Sequence, residues 1–138
     1  SNNPHILNIS PPLNFEEKWF KDHVAYSIAK YGMSLCVLGM SAEFRSDNIG
    51  VNALWPRTAI STAAVVNLLG GEGVAKISRK PEIMADAAYV ILTSKSSKTT
   101  GNFFVDDEVL GSVGVNDLSK YNIDPKIPSY ELAPDFFV

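Results

Sequence analysis

Two short apolar runs, Ile6-Leu7-Asn8-Ile9 and Ile49-Gly50-Val51-Asn52-Ala53-Leu54-Trp55, are each shut off by proline and separated by one long helical stretch. Proline cannot donate to a β ladder or sit inside a helix, so Ser10-Pro11-Pro12 and Pro56 mark where both strands end. Between them Ala25, Ile28, Ala29, Met33, Cys36, Val37, Met40 and Phe44 recur at three- and four-residue steps. That stripe predicts a helix from about Asp22 to about Phe44. A strand, a helix and a strand in this order imply a right-handed crossover between parallel strands. Ser10 and Pro56 then lie at carboxyl ends that open onto one face, the side on which open α/β sheets hold ligands.

The flanking segments read less regularly. Asn14 followed by Glu17 resembles an amide-headed capping box opening a short turn or helix that carries Trp19 and Phe20. Thr58 to Leu69 reads as a short helix, and Gly70-Gly71-Glu72-Gly73 as a mobile loop after it. Pro81 with Glu82 suits the first turn of another helix running through Leu92. Gly101 to Asp106 reads as a third strand, with an irregular remainder. The tail Pro134-Asp135-Phe136-Phe137-Val138 is expected to pack onto the body or, as an apolar end, onto a neighbouring subunit.

At 138 residues and 46% apolar content the chain makes one modest core, with nothing to indicate a second domain. A net charge of -3 and twelve scattered Lys and Arg leave no basic face for a phosphate backbone, which argues against nucleic acid as a partner. The single cysteine, Cys36, has no partner for a disulfide or a Cys-based metal site and reads as a small core residue. No run reaches the roughly 18 apolar residues of a membrane span, and the opening Ser1-Asn2-Asn3-Pro4-His5 lacks a basic stretch followed by an apolar one. The expected setting is intracellular.

The helix carries the chemistry. Tyr26 and Lys30 stand four residues apart, so one helical face presents both. An ammonium beside a phenol favours the phenolate and draws its pKa down from about 10, making the tyrosine usable as an acid or base near neutrality. The pair alone is close to a chance-level motif; its position between two strand ends gives it weight.

Ser10, Tyr26-x-x-x-Lys30, Asn52-Ala53-x-x-Pro56 with Thr58 nearby, and Thr100-Gly101 before Val105-Asp106 come in the order seen in short-chain dehydrogenases/reductases. The whole chain resembles the carboxyl-terminal half of that domain. Phrases such as Ala29-Lys30-Tyr31-Gly32-Met33-Ser34 and Asn52-Ala53-Leu54-Trp55-Pro56 look most like a hydroxysteroid dehydrogenase-like subgroup. The resemblance implies an α/β fold, the second half of a Rossmann-type doubly wound parallel sheet of about three strands with crossover helices. The main dinucleotide-binding turn is expected to lie outside residues 1–138.

The resemblance also assigns roles. Tyr26 would exchange a proton with a carbonyl or hydroxyl oxygen while a nicotinamide exchanges hydride with the carbon. Lys30 would stabilise the phenolate and hold the nicotinamide ribose, and Ser10 would hydrogen-bond the substrate oxygen. Tyr26, Lys30, Pro56, Arg57, Thr58 and Ile60 would border the cofactor, NADP by subgroup likeness with NAD as the alternative. No residue set points to a metal. Arg57 stands where the family commonly has glycine, so it is expected either to point outward or to touch phosphate. The implied partners are a small carbonyl/alcohol substrate of lipid-like character and a second copy of the chain, and the implied compartments are peroxisome or mitochondrion. The rival expectation is a truncated, non-catalytic form that acts by protein association.

Overall fold

The computed structural model describes residues 2–69 and 71–138, apart from the side chains of residues 68 and 69. β1 (His5–Ile9) and β2 (Gly50–Trp55) are parallel, with Ile6 opposite Val51 and Asn8 opposite Ala53. β3 (Phe103–Val105) joins the other edge of β2, also parallel, giving the order β1-β2-β3. The crossover expected from the two proline-stopped runs is therefore present. Gly50 shows why β2 begins with glycine: a Cβ there would lie 2.6 Å from the Thr99 carbonyl oxygen and 2.8 Å from His5 Nδ1.

Alternate residues of β2 serve opposite faces, as strand geometry requires. Val51 and Ala53 pack with Val37 of α1 (Val24–Glu43). Leu54 packs on the other side with Ile83, Ala87 and Ile91 of α3 (Glu82–Thr93) and Leu110 of α4 (Asp106–Ser112). Helix, sheet and helix pair form three layers around a sheet whose central strand is buried throughout.

The helix α1 differs from the sequence reading in which side it buries. The apolar stripe faces inward at its carboxyl-terminal part, where Val37 is buried and Met40 and Phe44 pack beside it; Ile28 and Cys36 are exposed, and the other buried positions are Ser27, Tyr31, Ser34 and Ser41. The serines can be buried because each hydroxyl finds a backbone acceptor. Ser27 Oγ donates to the Trp19 carbonyl at 2.7 Å, Ser34 Oγ to that of Pro11 at 2.7 Å, and Ser41 Oγ to that of Leu38 at 3.0 Å. Small side chains also let the helix lie close on the strands. The helix starts two residues later than expected, since Asp22 takes a left-handed φ of 65° and breaks the turn.

Four further expectations change. Thr58 to Ser61 is extended and bridged to other segments, and helical backbone appears only from Ala63, passing into a π-helical turn at Val65–Leu69. Gly71–Lys76 forms a helix, α2, where a mobile loop was expected; Gly70 lies outside the described residues. The Asn14 box closes on Glu16 rather than Glu17, with the Glu16 N–H donating to Asn14 Oδ1 at 3.1 Å. The fourth is α4, which went unforeseen because seven residues show too little periodicity. Its first turn holds Asp106, Asp107 and Glu108, an acidic start that favours the helix dipole.

Candidate active site

A cavity of about 900 Å³ opens at the carboxyl ends of β1 and β2. Ile9, Tyr26, Lys30, Trp55, Pro56 and Ile60 line it. Four of the expected site residues, Tyr26, Lys30, Pro56 and Ile60, thus come together. Three do not line it. Ser10 is buried one residue beyond Ile9, and its Oγ has no hydrogen-bond partner among the described residues. Thr58 is likewise buried with its Oγ1 unpartnered among them. A buried hydroxyl without a partner carries a desolvation cost, which makes both oxygens candidates for an external acceptor or donor. Arg57 takes the outward of its two expected orientations, with Nε donating to Asp107 Oδ2 at 3.0 Å and Nη2 to Glu108 Oε1.

The electrostatics at Tyr26 run against the sequence expectation. Burial first, and the Asp135 carboxylate second, push its phenol above the ordinary value rather than below it. The Lys30 ammonium instead sits over the Trp55 ring, 5.4 Å from the centroid, a cation–π contact. Tyr26 therefore rests as a neutral phenol, the form that gives a proton.

The tail completes the site, having packed onto the body. A seam ties it to the segment after β2: the Ala59 N–H donates to the Ala133 carbonyl at 2.8 Å and the Asp135 N–H to that of Arg57 at 3.1 Å. Trp55 Nε1 donates to the Phe136 carbonyl at 2.7 Å, so Trp55 both packs in the core and walls the cavity. Asp135 and Phe136 line the cavity beside Tyr26 and Lys30. Burial pushes the Asp135 carboxyl up to about 6; the Phe136 N–H at 2.7 Å draws it down, the Asp106 charge raises it, and Lys30 lowers it again. His23, at the head of α1, also faces the cavity, its ring edge-on to Phe136 at 4.9 Å. Asp135 and Phe136 escaped the sequence reading because only the fold brings the tail to Tyr26. The signal that was available was a single acid, Asp135, set in an otherwise apolar terminus beside Phe136 and Phe137.

Among the described residues no three His, Cys, Asp or Glu side chains gather as a metal site, and no helix is long and apolar enough to cross a membrane.

Comparison with known proteins gives one consistent picture. The chain is 60% identical over 134 residues to hydroxysteroid dehydrogenase-like protein 2 of Xenopus laevis, covering 97% of this chain and 31% of that protein. The Danio rerio protein of the same name is 56% identical over 138 residues, 100% of this chain and 32% of the relative, and the human one is 54% identical over 134 residues. The chain thus spans about a third of the length of the curated relatives it matches. Among solved structures, a putative dehydrogenase from Xanthomonas campestris superposes with a TM-score of 0.89 at 46% identity, over 100% of this chain and 49% of that one. A short-chain dehydrogenase from Mycobacterium thermoresistibile gives 0.87 at 50% identity, over 100% of this chain and 48% of that one. No family model matches the chain.

Proposed function

We propose that this chain, homologous over its whole length to about half of a short-chain dehydrogenase, carries the proton-transfer side of a nicotinamide-dependent oxidoreductase acting on a carbonyl/alcohol pair. The observation that carries the reading is the meeting of Tyr26 and Lys30 with Pro56 and Ile60 around one apolar cavity at the carboxyl ends of parallel strands. A bound nicotinamide would supply the hydride. The residues present suit such a group: Lys30 forms no ion pair among the described residues, and Ser10 and Thr58 keep buried hydroxyls unpartnered among them.

Tyr26 gives its phenolic proton to the substrate oxygen in this reading, and Ser10 holds that oxygen while charge develops on it. Lys30 moves from the Trp55 ring toward the ribose and the phenolate once proton transfer leaves Tyr26 negative. Burial and Asp135 keep Tyr26 protonated, the form that can give a proton to a carbonyl oxygen. The subgroup likeness supports NADP over NAD, and the apolar cavity supports lipid-like substrates. The dinucleotide-binding turn is assigned to sequence beyond residues 1–138.

Nicotinamide fluorescence on titrating the full-length protein with NADPH and NADH tests the cofactor. Tyr26→Phe should then abolish turnover and keep most cofactor affinity, whereas Lys30→Ala should damage both. Retained turnover in Tyr26→Phe sinks the assignment.

A further inference from the structure

Resting on the oxidoreductase reading above, the geometry points to Asp135 and Phe136 as specificity-determining residues that reserve this site for uncharged, apolar carbonyl substrates and turn away oxo acids. The tail is part of the site wall, and three independent contacts hold it there. Its backbone is stitched to Arg57 and Ala59, with Pro134 bridged to Thr58 in antiparallel fashion. The Trp55 indole holds the Phe136 carbonyl at 2.7 Å. Phe137, 1% exposed, is driven into the aromatic cluster of Tyr31 and Trp55, which fixes the residues just before it.

The wall so formed has two chemical properties. Phe136 places its ring 5.8 Å from that of Tyr26, edge-on, so the reacting end of a substrate meets an aromatic surface. Around it the lining is aliphatic, with Ile9, Ile60, Val65, Val74 and Met84. Among the described residues, one ammonium, Lys30, and one carboxylate, Asp135, line this apolar space, and the His23 ring packs edge-on against Phe136. The two charges offset each other, and the cation is already committed to the proton-transfer pair. A substrate carboxylate near the reacting carbon would be buried with no free cation and with a like charge on the wall, an arrangement that costs several-fold to many-fold in affinity. A neutral ketone or aldehyde meets no such penalty and gains from the aliphatic lining.

The test compares a matched pair of substrates, an aliphatic ketone and an oxo acid of equal chain length, on the full-length protein. Asp135→Asn suits the purpose because its amide oxygen can still accept the Phe136 N–H, so the seam is kept and only the charge is removed. Wild type should prefer the ketone in kcat/KM, and Asp135→Asn should raise the oxo-acid value relative to the ketone by roughly tenfold or more. Phe136→Ala should in turn raise KM for the ketone with less change in kcat. An Asp135→Asn ratio equal to that of wild type overturns the proposal. Absence of turnover in wild type would count against the oxidoreductase reading instead; calorimetric affinities for the same two ligands then read the discrimination directly. An unchanged affinity ratio, or binding of neither ligand, overturns it there.

Discussion

Phe137 lies parallel to Tyr26, ring centroids 6.0 Å apart and planes within 9°, so the last aromatic residue of the tail backs the candidate proton donor. Phe137 is also wedged against Tyr31 at 5.0 Å and Trp55 at 5.9 Å. Phe137→Ala should therefore lower stability by about 3 kcal/mol and free the tail as a unit. A chemical-denaturation midpoint checks the first effect, and faster proteolysis after Leu132 the second. A loss under 1 kcal/mol would show that the tail is not anchored by this ring.

The buried Asp135 carboxyl gives a pH signature. Its folded value near 6 lies above an unfolded value near 4, so the folded chain holds that proton more tightly. There is no penalty below about pH 4; it grows as pH rises through 6 and is then constant. Asp135→Asn should match wild type in stability near pH 4 and exceed it by about 2 kcal/mol at pH 7. Denaturation curves at the two pH values measure the difference. A gap that does not change with pH would refute the burial argument.

Substitutions along α1 separate the two candidate faces of the helix. Ile28, 66% exposed, should tolerate Ile28→Ser within about 0.5 kcal/mol. Ser34, fully buried against the Pro11 carbonyl, should lose about 1 kcal/mol as Ser34→Ala and considerably more as Ser34→Leu, which overfills the contact with the strands. Thermal melts of the three variants settle the order.

Arg57→Ala removes two partly exposed ion pairs, to Asp107 and Glu108. Such pairs contribute at most about 1 kcal/mol and are screened by salt, so the stability loss should shrink in high salt. NADPH affinity should stay within about twofold, since the guanidinium faces α4 rather than the cavity. A large loss of affinity would restore the phosphate-contact alternative.

What the sequence disclosed follows from how local each signal was. The two proline-stopped runs and the helix between them rest on local periodicity and backbone chemistry, and all three elements stand where they were expected. Tyr26, Lys30, Pro56 and Ile60 converge because the crossover topology alone brings those strand ends together. The helix face was misjudged in part: Val37, Met40 and Phe44 do pack inward, but hydrophobicity cannot register that Ser27, Ser34 and Ser41 satisfy their hydroxyls on nearby carbonyls. The sign of the Tyr26 shift was misjudged for a related reason. The i to i+4 spacing places Lys30 on the right face but does not reveal that Trp55 holds its ammonium and that Asp135 arrives from the far end of the chain. Both errors concern contacts between segments distant in sequence.

The seam between Arg57–Ala59 and Ala133–Asp135 sets an order in time. β1, α1 and β2 form from neighbouring segments, whereas Asp135 and Phe136, which wall their cavity, are translated after them and must close a long loop to reach it. Until that closure Tyr26 stands without the ring behind it and Lys30 without the carboxylate beside it. The wall of the cavity thus closes after the elements it covers, and a chain cut short before Ala133 would leave Tyr26 and Lys30 in an open cleft.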